Sequence, residues 1–200
     1  MILASSLGLK PGRRLSGRRG RRGFSLIELL TVITVMGIMM TIALPYMRVS
    51  PQTKVRSAGR DLVRYLEVIR TRALSAKKGV RLTFNLADAS YTAYLDDNKD
   101  GTFDQTVAES QAVGIGTRSL RSRTLFGMGN ASELPNYPGS GPVTFANDRV
   151  EFNTRGVTTP FGLRGVVYIV YIDDPNAVAA VSISGSASFK VWVYRDGVWQ

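Results

Sequence analysis

The chain contains no His and no Cys. Cysteine nucleophiles, histidine bases, Ser-His-Asp triads and the usual zinc sites are therefore excluded. The groups left to do chemistry are carboxylates and arginines. Asp96, Asn98 and Asp100 stand at alternate positions, Gly101 follows, and Asp104 comes four residues after Asp100. In calcium loops this spacing turns successive side-chain oxygens inward, and the glycine permits a sharp turn. Hard oxygen donors in this number suit calcium rather than a transition metal. The twelfth position from Asp96, where such loops carry a bidentate acid, is Val107, and Glu109 comes two residues late. An ordinary polar turn, with Lys99 offsetting part of the charge, is the competing reading. Calcium is thus the one cofactor the pattern suggests, bound weakly, in the range of roughly 10⁻⁴–10⁻³ M. Arg118, Arg121 and Arg123 form the second cluster. It is read either as a nucleic-acid contact or as a solvated basic face. No Ser/Lys or paired-carboxylate spacing favours an enzyme.

The third charged group of interest is Glu28, alone in an apolar run from Phe24 to Met47. As a helix the run spans roughly 36 Å, against a hydrocarbon core of about 30 Å, and it shows no polar face. A carboxylate in such a run costs on the order of 2.5–3.5 kcal/mol at mid-membrane and less near its end. Either it snorkels beside a helix start, where the dipole tolerates it, or it pairs with a cation. A cut before Phe24 would create an α-amine four residues from Glu28, on the same helical face; an amine on a neighbouring helix would serve equally. Upstream, residues 1–23 hold Lys10, Arg13, Arg14, Arg18, Arg19, Arg21 and Arg22 and no acid, so most of the net charge of +11 sits in this leader. Basic residues before an apolar span place the leader in the cytoplasm and the remainder across the inner membrane. The run ends Ala43-Leu44-Pro45-Tyr46-Met47 without a small-residue cleavage site, so the span is expected to be retained.

The segment Arg22-Gly23-Phe24-Ser25-Leu26-Ile27-Glu28-Leu29-Leu30 resembles the class III signal of type IV pilins and type II secretion pseudopilins. The resemblance implies cleavage after Gly23 by a prepilin peptidase and N-methylation of Phe24. It also implies that Glu28 guides subunit docking. Gly37 and Pro45 fall where such helices carry a glycine and a kinking proline. The leader is longer than is usual in this group, and Ser25 replaces the commoner Thr.

The elements that must carry these groups read as follows. Residues 1–23 are the leader, 24–50 a transmembrane helix, 51–79 an amphipathic helix and 80–200 a periplasmic β domain. Val55, Ala58, Leu62, Leu66, Ile69, Ala73 and Ala76 recur at three- and four-residue steps, and Gly79 is the expected C-cap. From Val80 the pattern alternates, with a hairpin formed by Val80–Phe84 and Tyr91–Leu95. Further strands are expected at Leu120–Phe126, Val143–Ala146, Val150–Asn153, Val166–Ile172, Ala179–Ser184 and Phe189–Tyr194. Gly, Pro and Asn clusters at Gly127–Pro142 and Thr154–Arg164 separate them. The expected class is α+β: a long N-terminal helix, its first half membrane-spanning, followed by an antiparallel sheet or two-sheet sandwich.

This order resembles the GspH/FimT-type minor pseudopilins, as do the Leu95–Asp104 loop and Val181-Ser182-Ile183-Ser184-Gly185. The implied partners are other pilins or pseudopilins in a filament, the prepilin peptidase and the inner membrane. The implied role is a structural subunit of a secretion or pilus filament. DNA uptake is the alternative. The Gly-Arg-x-Arg pattern of DNA-binding members is absent, since Gly185 precedes Ser186-Ala187-Ser188-Phe189-Lys190, and this argues against DNA as a partner.

Overall fold

The computed structural model describes residues 23–46, 50–137 and 139–200, with side chains in the first helix described as far as residue 42. Residues 1–22 of the leader, residues 47–49 with Met47, and residue 138 lie outside the described residues. The chain divides into two compact units at residue 48. The first is the helix α1 (Leu26–Tyr46). The second holds α2 (Pro51–Ala76), β1 (Val80–Asn85), β2 (Ser90–Leu95), α3 (Val107–Val113), β3 (Arg118–Ser119), β4 (Thr124–Phe126), β5 (Arg149–Phe152), β6 (Thr158–Thr159), β7 (Gly165–Tyr171), β8 (Asp174–Ile183), β9 (Phe189–Arg195) and β10 (Val198–Trp199).

Helix α2 starts where its sequence tells it to. Ser50 is the N-cap, its hydroxyl accepting from the Thr53 N–H at 3.3 Å, and Pro51 occupies the first turn. Its buried stripe is Val55, Ala58, Gly59, Leu62, Tyr65, Leu66, Ile69 and Ala73. The left-handed residue that ends it is Lys77 (φ 51°), not Gly79. Gly79 serves close approach instead: a Cβ there would lie 3.2 Å from the Phe103 ring.

The strands form two five-stranded sheets, β3-β2-β1-β5-β6 and β10-β9-β8-β7-β4, with every pairing antiparallel. The α+β expectation with two antiparallel sheets is borne out. One core joins the stripe of α2 to the inner faces of both sheets, through Leu82, Phe84, Val150 and Phe152 on one side and Val167, Ile169, Val181 and Ile183 on the other. The outer face of the second sheet is covered too. There Leu134, with Met128 and Tyr137 beside it, packs on Val166, Tyr168 and Ala180.

Two expected strands come out differently. Leu120–Phe126 is not one strand: β3 and β4 belong to different sheets, and the chain turns between them with Arg123 at φ 65°. Val143–Ala146 contributes a single bridge, Val143 to Val167, before a 3₁₀ turn at Ala146–Asp148. Asn147 and Asp148 sit at positive φ there, a conformation these residue types tolerate better than most. Helix α3 was not expected at all.

Candidate functional site

Gly23 and Phe24 precede α1, with Phe24 78% exposed, and the first helical hydrogen bond runs from the Leu29 N–H to the Ser25 carbonyl. Glu28 lies in the first turn. Apolar side chains are exposed all along the described part of the helix, from Leu26 to Ile42. The hydroxyls of Thr31, Thr34 and Thr41 donate to the carbonyls of Glu28, Leu30 and Gly37 at 2.8–2.9 Å, so the helix satisfies them itself. Glu28 is the one polar side chain of that stretch with no partner among the described residues. Pro45 falls in the last turn of α1. Among the described residues no helix is long and apolar enough to cross a membrane. The described side chains end at Ile42, inside the apolar run on which a span is expected.

The acidic loop joins β2 to α3. The Asp96 N–H donates to the Gly79 carbonyl at 3.0 Å, continuing the edge of the hairpin. The Asp96 side chain is buried, and its Oδ2 accepts from the Gly101 N–H at 3.1 Å. Asn98 Nδ2 donates to Asp100 Oδ2 at 2.7 Å, and Asp100 Oδ1 accepts from the Thr102 N–H and hydroxyl. The Thr102 hydroxyl holds the Asp100 carboxyl below the usual carboxylate range, and the Thr102 N–H adds to this. Lys78 does the same for Asp97, with Nζ 2.5 Å from Oδ1. Asp104 is exposed. Glu109 is buried and belongs to the helix start: the Thr106 hydroxyl accepts the Glu109 N–H at 3.2 Å, and Glu109 Oε2 accepts the Gln105 N–H at 2.9 Å. This is a variant of the capping box, so the Glu109 carboxylate is already occupied. The Thr106-x-x-Glu109 spacing is the signal that identifies α3 in the sequence. Phe103 anchors the loop's other limb, its ring 4.2 Å from the Arg81 guanidinium, which in turn pairs with Glu151 at 2.8 Å across β1 and β5.

The structure does not gather Arg118, Arg121 and Arg123 into one face of unpaired cations. Arg121 Nε donates to Asp61 Oδ2 at 2.6 Å, and Arg64 shares the same carboxylate at 3.4 Å. Arg123 pairs with Asp173, whose carboxyl is held low as a result. Arg118 lines a cleft of about 410 Å³ with Asp61, Arg64, Tyr65 and Tyr91.

Residues 18–44 match the family model described as a prokaryotic N-terminal methylation motif. The resemblance read on Arg22–Leu30 is thereby borne out. No curated protein matches the chain. Among solved structures the chain is similar to the type IV minor pilin FimU of Pseudomonas aeruginosa, at 11% identity and a TM-score of 0.47, covering 74% of this chain and 93% of that one. It is also similar to the minor pseudopilin EpsH from the type 2 secretion system of Vibrio cholerae, at 8% identity and a TM-score of 0.45, covering 70% of this chain and 97% of that one.

Proposed function

We propose that the chain is a minor pilin or pseudopilin, a structural subunit rather than an enzyme. In this reading the precursor is cut between Gly23 and Phe24 by a prepilin peptidase and methylated on Phe24. It is then held in the bacterial inner membrane by α1, with residues 50–200 in the periplasm, and is finally built into a type II secretion or type IV pilus filament beside other pilin-type subunits. The observation that supports the reading is the methylation motif matched over residues 18–44, a stretch that contains the Gly23–Phe24 pair and the start of α1, where Glu28 has no partner among the described residues.

The chemistry follows from charge. Cleavage converts the Phe24 amide into an ammonium, whose ordinary pKa of about 7.7–8.0 keeps it largely protonated at neutral pH. Phe24 lies ahead of the first helical residue, so the four-residue helical relation to Glu28 does not hold within one chain as folded here. The amine of a neighbouring, axially shifted subunit is therefore the better partner for this carboxylate. Removing the leader also removes seven cations without an acid among them, which frees the helix end to leave the membrane.

Mass spectrometry of the native protein tests the junction: the expected N-terminus is methylated Phe24, and an intact leader or a cut beyond Met47 overturns the proposal. Glu28→Ala should leave membrane insertion intact, since a costly charge is gone, and should impair incorporation into the filament. Normal incorporation would remove the pairing role. The DNA-uptake reading draws less support, because Arg121 and Arg123 already hold carboxylate partners.

A further inference from the structure

We propose that the loop from Asp96 to Asp104 binds one calcium ion, with Asp96 as its anchoring ligand. The inference concerns this loop alone and stands or falls independently of the filament reading.

The observation that takes it beyond a residue pattern is the state of Asp96. The residue is only 6% exposed. The bond from the Gly101 N–H to Oδ2 shows that the carboxylate is turned into the loop. Its other oxygen, Oδ1, is buried and has no hydrogen-bond partner among the described residues. A buried carboxylate oxygen without a donor has lost its water and gained nothing in return. Lys78 does not supply the missing charge, because its ammonium is engaged by the Asp97 carbonyl and carboxylate at 2.7 and 2.5 Å. A cation bound in the loop would satisfy Oδ1.

The rest of the loop fits that ion. Asn98 and Asp100 follow at alternate positions, both exposed, and their hydrogen bonds run to each other and to Thr102. Such exposed bonds exchange readily for a metal. Gly101 takes φ 79°, where a side chain would be strained. The two ends are held: Asp96 by the Gly79 carbonyl, and the far limb by Phe103 on Arg81 and by the capped start of α3. Among the described residues no three acidic side chains converge. The donors are therefore Asp96 and Asp100 together with neutral oxygens, the Asn98 amide and backbone carbonyls. That mixture suits calcium and is poor for transition metals. With Val107 where a bidentate acid would stand, affinity belongs in the range of roughly 10⁻⁴–10⁻³ M.

The test uses the full-length protein in detergent micelles, with thermal unfolding followed in chelator, in magnesium and across a calcium titration at constant ionic strength. Calcium should raise the midpoint, with half the effect in the stated range, and magnesium should not. Asp100→Ser alters an exposed side chain and should weaken the response about tenfold or more without preventing folding. Asp96→Asn should be at least as stable as the parent in chelator, since it removes an uncompensated buried charge, and should lose the calcium response. A turn-forming role alone would instead lower its stability equally with and without calcium. Equal midpoints in all three solutions up to millimolar calcium, or a calcium response unchanged in both variants, would overturn the proposal.

Discussion

Tyr65 offers the sharpest test of how the second unit holds together. Its hydroxyl donates to the Gly116 carbonyl at 2.8 Å and accepts the Ala93 N–H at 3.2 Å. On β2, the neighbour β3 pairs only with Ser90 and Tyr91, so the phenol supplies the acceptor that a longer β3 would have supplied to Ala93. One atom on α2 thereby ties together the strand before the acidic loop and the turn after α3. Tyr65→Phe keeps the ring and its edge-on contact with Tyr91, 4.8 Å between centroids. It deletes one buried and one part-buried hydrogen bond, each contributing about 1 kcal/mol net, and leaves an N–H unpaired. The expected loss is about 2–3 kcal/mol. For a unit of this size that corresponds to a fall of about 4–12 °C in Tm. Burial first raises the phenol's pKa above its ordinary value, so the hydroxyl remains a donor at neutral and mildly alkaline pH, and the loss should be constant between pH 6 and pH 9. The assay is urea and thermal unfolding of the full-length protein in detergent, followed by far-ultraviolet circular dichroism. Tyr94→Phe on the same strand is the control, since its hydroxyl has no partner among the described residues. A Tyr65→Phe protein within about 0.5 kcal/mol of the parent, or indistinguishable from the control, would refute the reasoning.

Two further expectations follow from packing and titration. At Gly59, where α2 crosses the second sheet, a Cβ would lie 3.1 Å from Val191 Cγ1 and 3.5 Å from Val181 Cγ2. Gly59→Ala gains about 1 kcal/mol of helix propensity against that crowding and should be near neutral. Gly59→Leu should cost about 1–3 kcal/mol by overpacking, and equal denaturation midpoints for the two variants would contradict the close crossing. Burial, assisted by the negative charge of Asp61, pushes the Tyr91 pKa up to about 12. Its folded pKa lies above the unfolded value near 10, so stability is intact below pH 10 and declines as pH rises towards 12. Urea midpoints measured across that window should fall, and Tyr91→Phe should flatten the fall; an unchanged slope in the variant would assign it to other groups.

The parts of the fold legible in the sequence are those in which one periodicity covers a whole element. The α2 stripe and the β1–β2 hairpin are of this kind, because each buries a single face. The continuous apolar run Val166–Val170 is another signal: β7 is covered on both faces, by the core and by the segment carrying Met128, Leu134 and Tyr137. That segment reads as a Gly/Pro/Asn separator, since a few well-spaced apolar residues in a polar stretch carry no period. The break inside 120–126 was illegible for a different reason, namely that Arg123 adopts a positive φ with no glycine to announce it. Thr106 and Glu109 announce α3, but a carboxylate just beyond an Asp-rich loop also reads as a displaced metal ligand, which masks its value as a cap. At the N-terminus the motif itself was legible, because it is a pattern of residue types rather than a shape. The partners of Arg121 and Arg123 were not, since Asp61 and Asp173 lie far away in the chain.

If the chain assembles as proposed, the polar groups of α1 bear on how a single carboxylate would direct assembly. A helix moving from lipid into a bundle of helices exchanges one apolar surrounding for another, so the hydrophobic effect gives little preference between the two. Any polar group bonded to a partner outside the helix would add its own preference. Thr31, Thr34 and Thr41 add none, because their hydroxyls bond carbonyls of the same helix in either setting. Among the described side chains of α1, Glu28 alone differs. In lipid it is a charge near a helix start, costing less than the 2.5–3.5 kcal/mol of mid-membrane on insertion scales. Against an ammonium in the same apolar setting, that cost is offset by a partner, and removing one member of such a pair leaves the other exposed to the full penalty. In the proposed reading, the preference between storage and assembly would therefore rest on Glu28 and on an amine created only by cleavage at Gly23. Uncut precursor should for this reason be inserted normally and yet fail to assemble, even where its folded unit is intact.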